Sequence, residues 1–229
     1  KINYYLEKYN KPDFICGKII VHGTNKPYSR FSGNKTFKFN LYNYDYCLSS
    51  ALIFKIDSIK EIKNFDILFG VGSKYHSNEE SDLIIRSIRS GQVGYYIPLI
   101  KIQHPKYIFN NSNYQNYLRG FNYGIGRGAL IRKHSEINMS WLFFNMSFNI
   151  LRSFFGLIIS IFLLRFHSAS FFIFSLIGRI SGFYNYKKYE NDKISVVASF
   201  KDNEQFIFES LSSISNQTYR NIEIILIND

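Results

Sequence analysis

The chain has 229 residues and a net charge of +11, with 46% hydrophobic and 20% charged residues. This balance excludes a disordered tail and an acidic solvating segment, because the apolar residues suffice to bury a core. The two cysteines, Cys16 and Cys47, form no CxxC motif, which excludes a disulfide-rich scaffold and a zinc module and fits a reducing compartment. The excess of Lys and Arg favours an anionic partner such as nucleic acid, a phosphorylated ligand or an anionic lipid surface.

The first 110 residues predict mixed α and β structure. Apolar runs at Phe14–Val21 and at 50–55 predict strands. Residues 22–43 contain Gly23, Pro27 and Gly33, which predict loops with room for one hairpin.

The clearest helix of this half is predicted after His76. Ser77 and Glu80 have the spacing of a capping box, an apolar face follows at helical spacing, and Gly91 is placed to end the helix. Extended segments at 95–97 and 99–103 follow, around Pro98, before the dipeptide His104-Pro105 closes the unit.

Residues 112–135 are polar, basic and punctuated by the glycines of a GxGxG sequence, Gly124, Gly126 and Gly128. No strand precedes these glycines, so the pattern does not predict a dinucleotide site. We expect a flexible segment or the start of a helix.

Residues 141–183 are the most apolar part of the chain. Residues 154–164 carry no charge and lie between Arg152 and Arg165, but a membrane-spanning helix needs about 20 apolar residues. The pattern therefore predicts two interfacial or re-entrant helices on an anionic membrane, with the arginines reaching toward the headgroups. A buried pair of core helices is the alternative.

The pattern changes again after a polar, lysine-rich stretch at 184–193, which predicts a linker. A β-branched run at 194–198, a helical pattern at 204–216 and an apolar run at 222–227 follow. Strand, helix and strand at this spacing predict a βαβ unit with parallel strands and a right-handed crossover.

Three places could carry chemistry. Glu79, Glu80 and Asp82 cluster at the start of the predicted helix, where neighbouring carboxylates raise one another's pKa and suit a general base; the alternative is that they complement the helix dipole. His104 is either a metal ligand or a turn histidine. Asp229 follows the second parallel strand, at the edge where open α/β sheets place ligands, or it is a cap residue.

These residues carry a resemblance to family-2 glycosyltransferases. Residues 65–73, 79–86, 96–98 and 104–105 are similar to the acceptor-side half of the family. Residues 194–229, above all 213–219 and 221–229, resemble its amino-terminal nucleotide-binding start. Because the two stretches occur in reversed order, the resemblance implies the end of one transferase module and the beginning of a second.

The resemblance implies an α/β fold with a partial GT-A-like domain and the start of a second Rossmann-like domain. The expected divisions are 1–118 for the acceptor-side half, 119–183 for a basic, membrane-associated helical segment, 184–193 for the linker and 194–229 for the second module. Residues 15–110 and 194–229 carry most of the likeness, and 119–183 is more weakly similar.

The resemblance also implies roles. Glu80 occupies the position of the catalytic base, Glu79 stands beside it, and Asp82 matches an acid that often follows. His104 matches a histidine that can ligate a divalent cation, Mg or Mn, and Asp229 matches an aspartate that contacts the nucleotide. Three departures lie near this position: the acidic pair is Glu-Glu where Glu-Asp is commoner, Ile67 stands in place of a glutamate, and Asn78 in place of a frequent glycine. In the tail, Ala198 and Lys201 replace the usual proline and asparagine.

The chain contains no Asp-x-Asp, the sequence that holds the cation in this family. We expect that motif before Lys1 and after Asp229, and therefore expect the chain alone to be inactive. The implied enzyme transfers sugar, with inversion, from a nucleotide-sugar donor to a glycan or lipid-linked acceptor at the cytoplasmic face of the cell membrane. A membrane-peripheral scaffold using residues 119–188 is the competing hypothesis. Nucleic acid is not an expected partner, since the basic residues flank apolar runs.

Overall fold

The computed structural model describes residues 2–28, 33–105, 113–187, 194–200, 204–217 and 222–228. The chain divides into two compact units, residues 1–186 and 187–229, and each is described by itself. The division falls inside the predicted linker 184–193.

The described elements of the first unit are six helices and four strands, and those of the second are one helix and two strands. The helices are α1 (Ile2–Lys8), α2 (Ile56–Glu61), α3 (Glu79–Arg89), α4 (Asn113–Lys133), α5 (Met139–Phe162), α6 (Phe166–Tyr184) and α7 (Glu204–Ser215). The strands are β1 (Phe14–Val21), β2 (Phe37–Lys38), β3 (Leu52–Phe54), β4 (Gly94–His104), β5 (Ile194–Phe200) and β6 (Ile222–Asn228). Short 3-10 turns occupy Tyr44–Tyr46 and Ser49–Ala51.

The first unit is built on a mixed sheet with strand order β2-β4-β1-β3. β1 and β4 are parallel, and the two edge strands β2 and β3 are antiparallel to their neighbours. The predicted strand at Phe14–Val21 is confirmed, and the two extended segments around Pro98 form the single strand β4. Opposite Gly17 and Lys18 the register jumps from Ile97 to Lys101, so β4 bulges around Pro98, which has no N–H to donate to a ladder.

Both faces of β1 are covered, which explains its continuous apolar sequence. Phe14 and Cys16 belong to the main core with the apolar residues of α3, the end of α4 and Trp141. Ile15 belongs to a second cluster with Tyr5 of α1. The coarse prediction of an α/β fold is therefore confirmed, as a mixed sheet with helices on both sides.

The start of α3 differs from the predicted capping box. The N-cap is Asn78, in the left-handed conformation at φ +72°, and no side chain caps the helix. Asparagine tolerates this conformation better than most residues, which explains why it can stand where glycine is frequent. The predicted end is confirmed, since Gly91 follows the helix at φ +85°.

The structure joins Cys16 of β1 to Cys47 in a disulfide across 31 residues. This single bond does not make a disulfide-rich scaffold. The sequence did not predict the pairing, because spacing along the chain does not show which strand faces which loop. The compartment expected from the sequence stays a prediction.

Of the two expectations for residues 112–135, the helix is confirmed and the flexible segment was wrong, because α4 runs unbroken through most of this stretch and crosses the expected boundary at residue 118. Its glycines serve packing. Gly120, Gly124 and Gly128 follow one another at four-residue spacing and lie against the backbone of α6 at Phe171, Ser175 and Arg179, so α4 and α6 run parallel in close contact. A Cβ at any of these positions would overlap a carbonyl oxygen of α6.

α5 and α6 form the two predicted apolar helices, joined by residues 163–165. Among the described helices, α5 is the one that is long and apolar enough to cross a membrane, and 17% of its apolar window is buried. Such low burial does not fit the alternative of a buried core pair.

In the second unit, β5 and β6 pair in parallel from Ile194↔Ile222 to Phe200↔Asn228, with α7 between them in the chain. The predicted βαβ unit is confirmed over its described residues. Asp229 lies outside the described residues.

Candidate active site around Glu80

The first turn of α3 carries the two acids that the resemblance singled out. Glu79 and Glu80 begin the helix directly after Asn78, and both are half-buried. Gly70 lies against Glu79: a Cβ on this glycine would be 3.6 Å from the Glu79 carboxyl carbon. The loop that includes Gly70 therefore fixes one side of the acidic pair.

A buried arginine supplies the positive charge of this site. Arg127 of α4 donates a hydrogen bond to the Tyr44 hydroxyl at 3.1 Å and forms an ion pair with Asp45 at 3.8 Å. Burial lowers the pKa of Arg127, but Tyr44, Asp45 and Glu80 outweigh that effect, so the net shift is upward and the guanidinium stays charged. Arg127 thus presents a permanent cation to a region that also contains Glu80.

Two glycines hold Arg127 in place. Gly126 packs on the segment before α3, where a Cβ would lie 2.6 Å from the Tyr75 carbonyl oxygen, and Gly128 packs on α6. The Tyr44 hydroxyl in turn donates to Asn145 Oδ1 at 2.7 Å, so the site is tied to α5 as well. α4 therefore brings its cation close to α3 because no side chain stands between the backbones.

The surroundings of Glu80 raise its pKa to about 7. Burial is the largest cause, because it penalises the charged carboxylate, and the negative charge of Glu79 adds to it. Arg127 acts in the opposite direction and Asp45 supports the rise. A carboxyl with this pKa is partly ionised near neutral pH and can accept a proton there.

The structure gives Asp82 different surroundings from its neighbours. Its side chain is fully buried, with Arg86 Nε at 2.8 Å, Lys133 Nζ at 2.6 Å and His134 Nε2 at 2.9 Å from its oxygens. Burial would raise the pKa of Asp82, but the His134 hydrogen bond and the charges of Lys133 and Arg86 hold it well below its ordinary range. This carboxylate stays ionised and links α3 to the end of α4. The catalytic role that the resemblance implies for Asp82 stays a prediction.

His134 is a member of this network that the sequence did not indicate. Burial lowers its pKa despite the contact with Asp82, so the ring is neutral and donates from Nε2. Lys133 also pairs with Asp66 at 2.6 Å, which anchors the 65–73 loop to the same helix.

The structure does not bring His104 to a cation site. The His104 ring lies 4.5 Å from that of Tyr28, and its Nδ1 is 2.9 Å from the Pro105 carbonyl oxygen. Within the described residues, no group of three or more His, Cys, Asp and Glu side chains could hold a metal ion. The described residues alone therefore supply no complete set of ligands for the Mg or Mn implied by the resemblance, and that cation stays a prediction.

The sequence missed the groups around Glu80 because they come from distant parts of the chain. Tyr44 lies 83 residues before Arg127 and 101 before Asn145. The sequence signal at this place was the pair of glycines that flank Arg127, since a glycine allows another backbone to approach closely.

Comparison with known proteins gives one match. Over 36 residues, 16% of this chain, the sequence is 58% identical to an uncharacterized glycosyltransferase of Haemophilus influenzae. The match supports a glycosyltransferase. It covers 11% of that relative's length. No family model matches the chain, and no solved structure matches it.

Proposed function

We propose that the first unit is the acceptor-side part of a family-2-type glycosyltransferase, with Glu80 as its general base. The observation that carries the proposal is the half-buried Glu80 carboxyl, with its pKa raised to about 7, beside Glu79 and within the field of Arg127. The short match to a glycosyltransferase supports the class of reaction. The proposed substrates are a nucleotide-sugar donor and a hydroxyl of a glycan or lipid-linked acceptor.

In the proposed step, ionised Glu80 accepts the proton of the acceptor hydroxyl as that oxygen attacks the anomeric carbon of the sugar. The bond from that carbon to the phosphate oxygen breaks, and its electron pair leaves with the nucleoside diphosphate. Attack opposite the leaving group inverts the anomeric centre. Glu79 keeps the pKa of Glu80 high enough for proton acceptance, while Arg127 limits the rise. A divalent cation at this site would need ligands from outside the described residues.

The test is Glu80→Gln in the complete protein that contains this chain, assayed by release of nucleoside diphosphate from UDP-glucose and UDP-N-acetylglucosamine with membrane extract as acceptor. Glutamine keeps the shape of the side chain but cannot take a proton, so we expect turnover to fall by about 10²–10⁴-fold. Nucleotide binding should stay near normal. Glu7→Gln, which changes a 73% exposed carboxylate, is the matched control.

The pH dependence provides a second readout. Since the base must be ionised, kcat/KM should rise with pH through about 7. Glu79→Gln removes a charge that raises the pKa of Glu80, so the rise should move to lower pH. Unchanged turnover in Glu80→Gln, or a pH profile that Glu79→Gln does not move, contradicts the proposed base.

A further inference from the structure

We propose that the hairpin of α5 and α6 inserts its apolar surface into the hydrocarbon region of a lipid bilayer. This inference is independent of the proposed glycosyl transfer, because it rests on the arrangement of polar and apolar side chains in a different part of the first unit.

Four polar side chains in the middle of α5 face the protein. Asn145, Asn149, Ser153 and Ser160 are 2–5% exposed and share one face of the helix with Trp141. Asn149 and Ser153 meet Arg179 of α6, which donates from Nη1 to the Asn149 carbonyl at 3.1 Å and also to Ser153 Oγ. A helix in water places its polar residues outward, so this arrangement is reversed.

After Ser140 in its first turn, the exposed side chains of α5 are apolar. Leu151, Phe154, Phe155, Ile158, Ile159 and Phe162 are 46–85% exposed and stand among further exposed apolar residues of this helix. At 100° per residue the exposed apolar positions from Phe143 to Phe162 span about 180° of the helix circumference. A soluble helix usually buries a single apolar stripe of about 100° against its own core. An apolar surface of nearly twice that width is what a helix surrounded by lipid presents.

The distribution of charge also supports a lipid bilayer as the surroundings of the hairpin. Residues 139–184 contain no Asp or Glu, and the exposed Arg165 stands at the turn between the two helices. A basic residue at this position suits anionic headgroups. A protein partner that covered the hairpin would need an apolar surface of matching width, whereas hydrocarbon provides one without further requirement.

The experiment uses the full 229-residue chain with phosphatidylcholine–phosphatidylglycerol vesicles. Phe155→Trp and Ile67→Trp place reporters on the hairpin and on an exposed site outside it. Lipids brominated deep in the acyl chain should quench the first reporter, and no brominated lipid should quench the second. Trp141, which is fully buried, provides the background measured in the unsubstituted chain.

A matched pair of substitutions measures the energetic contribution. Ile159→Asp changes a residue of the hairpin that is 57% exposed, and Ile67→Asp changes one outside it that is 71% exposed. A carboxylate in hydrocarbon should lower vesicle partitioning roughly 100-fold for Ile159→Asp, with little change for Ile67→Asp. Both sites are exposed, so Trp141 fluorescence should report a native fold in each variant.

Three results would overturn the proposal. The first is quenching of Phe155→Trp only by bromines near the headgroups, and the second is release of the chain at high salt, since either shows adsorption to the surface. The third is a soluble dimer that does not bind vesicles, because a second copy of the chain would then cover the apolar face.

Discussion

Replacing Asp82 by asparagine should destabilise the first unit, because this carboxylate balances several buried donors. Removing one partner of a buried ion pair costs about 3–5 kcal/mol. The lower end of this range applies to Asp82→Asn, because two of the donors have a second partner. Lys133 still pairs with Asp66 at 2.6 Å, and Arg86 still donates to the Asn64 carbonyl at 2.7 Å. We therefore expect a loss of about 3 kcal/mol in the free energy of unfolding, or a fall in Tm of about 6–12 °C for a unit of this size.

The assay is thermal unfolding in mild detergent, followed by the fluorescence of Trp141, the one tryptophan of the chain. Glu7→Gln is the control, because it also removes the acid of an ion pair, but there both side chains are at least 69% exposed. Such an exposed pair contributes about 0.2–1 kcal/mol.

The direction of the Asp82 pKa shift determines how this difference in stability depends on pH. The folded pKa of Asp82 is lowered, so its contribution is complete above the unfolded value of about 4 and is lost as pH falls toward the folded value. The difference in stability between the unsubstituted chain and Asp82→Asn should therefore narrow below pH about 4. An Asp82→Asn variant that is as stable as Glu7→Gln would contradict this prediction. A loss of turnover without a loss of stability would instead support the catalytic role that the resemblance implies for Asp82.

Two further substitutions test the position of α4. Arg127→Gln removes a charge that lowers the pKa of Glu80, so the rise of kcat/KM with pH should move to higher pH. Arg132→Gln, on the exposed side of α4, should leave the pH of this rise unchanged. Equal pH profiles for the two variants would argue against coupling between Arg127 and Glu80. Gly124→Val puts a side chain against the Ser175 carbonyl and should cost about 2 kcal/mol in thermal unfolding, against little for Tyr123→Val, whose side chain is 46% exposed. Equal Tm values for these two variants would contradict the close contact of α4 and α6.

Elements whose signal is local could be predicted from the sequence. β1 and the βαβ unit are short apolar runs between polar residues, and the end of α3 is fixed by Gly91 at a positive φ. Each depends on residues a few positions apart, so the pattern contains all the information needed.

Features that depend on packing between distant segments could not be predicted. The GxGxG sequence of α4 is compatible with a flexible segment and with a helix, because it does not show that another helix lies against it. In the same way, the capping box at Ser77 was a valid pattern, but the backbone before α3 turns through Asn78 in the left-handed conformation. The candidate site depends on both, since Gly126 packs on the segment at 75–77.

Glu80 and Asp82 show why a sequence that identifies acidic residues does not identify their roles. Two residues along a helix are about 200° apart, so the two side chains leave α3 on opposite faces. Asp82 meets Lys133, His134 and Arg86 and stays ionised. Glu80 faces Arg127, whose charge is shared with Tyr44 and Asp45, and burial together with Glu79 outweighs that one cation. Because both sets of partners include residues of α4, the placement of this one helix makes Asp82 a fixed anion and leaves Glu80 able to exchange a proton near neutral pH.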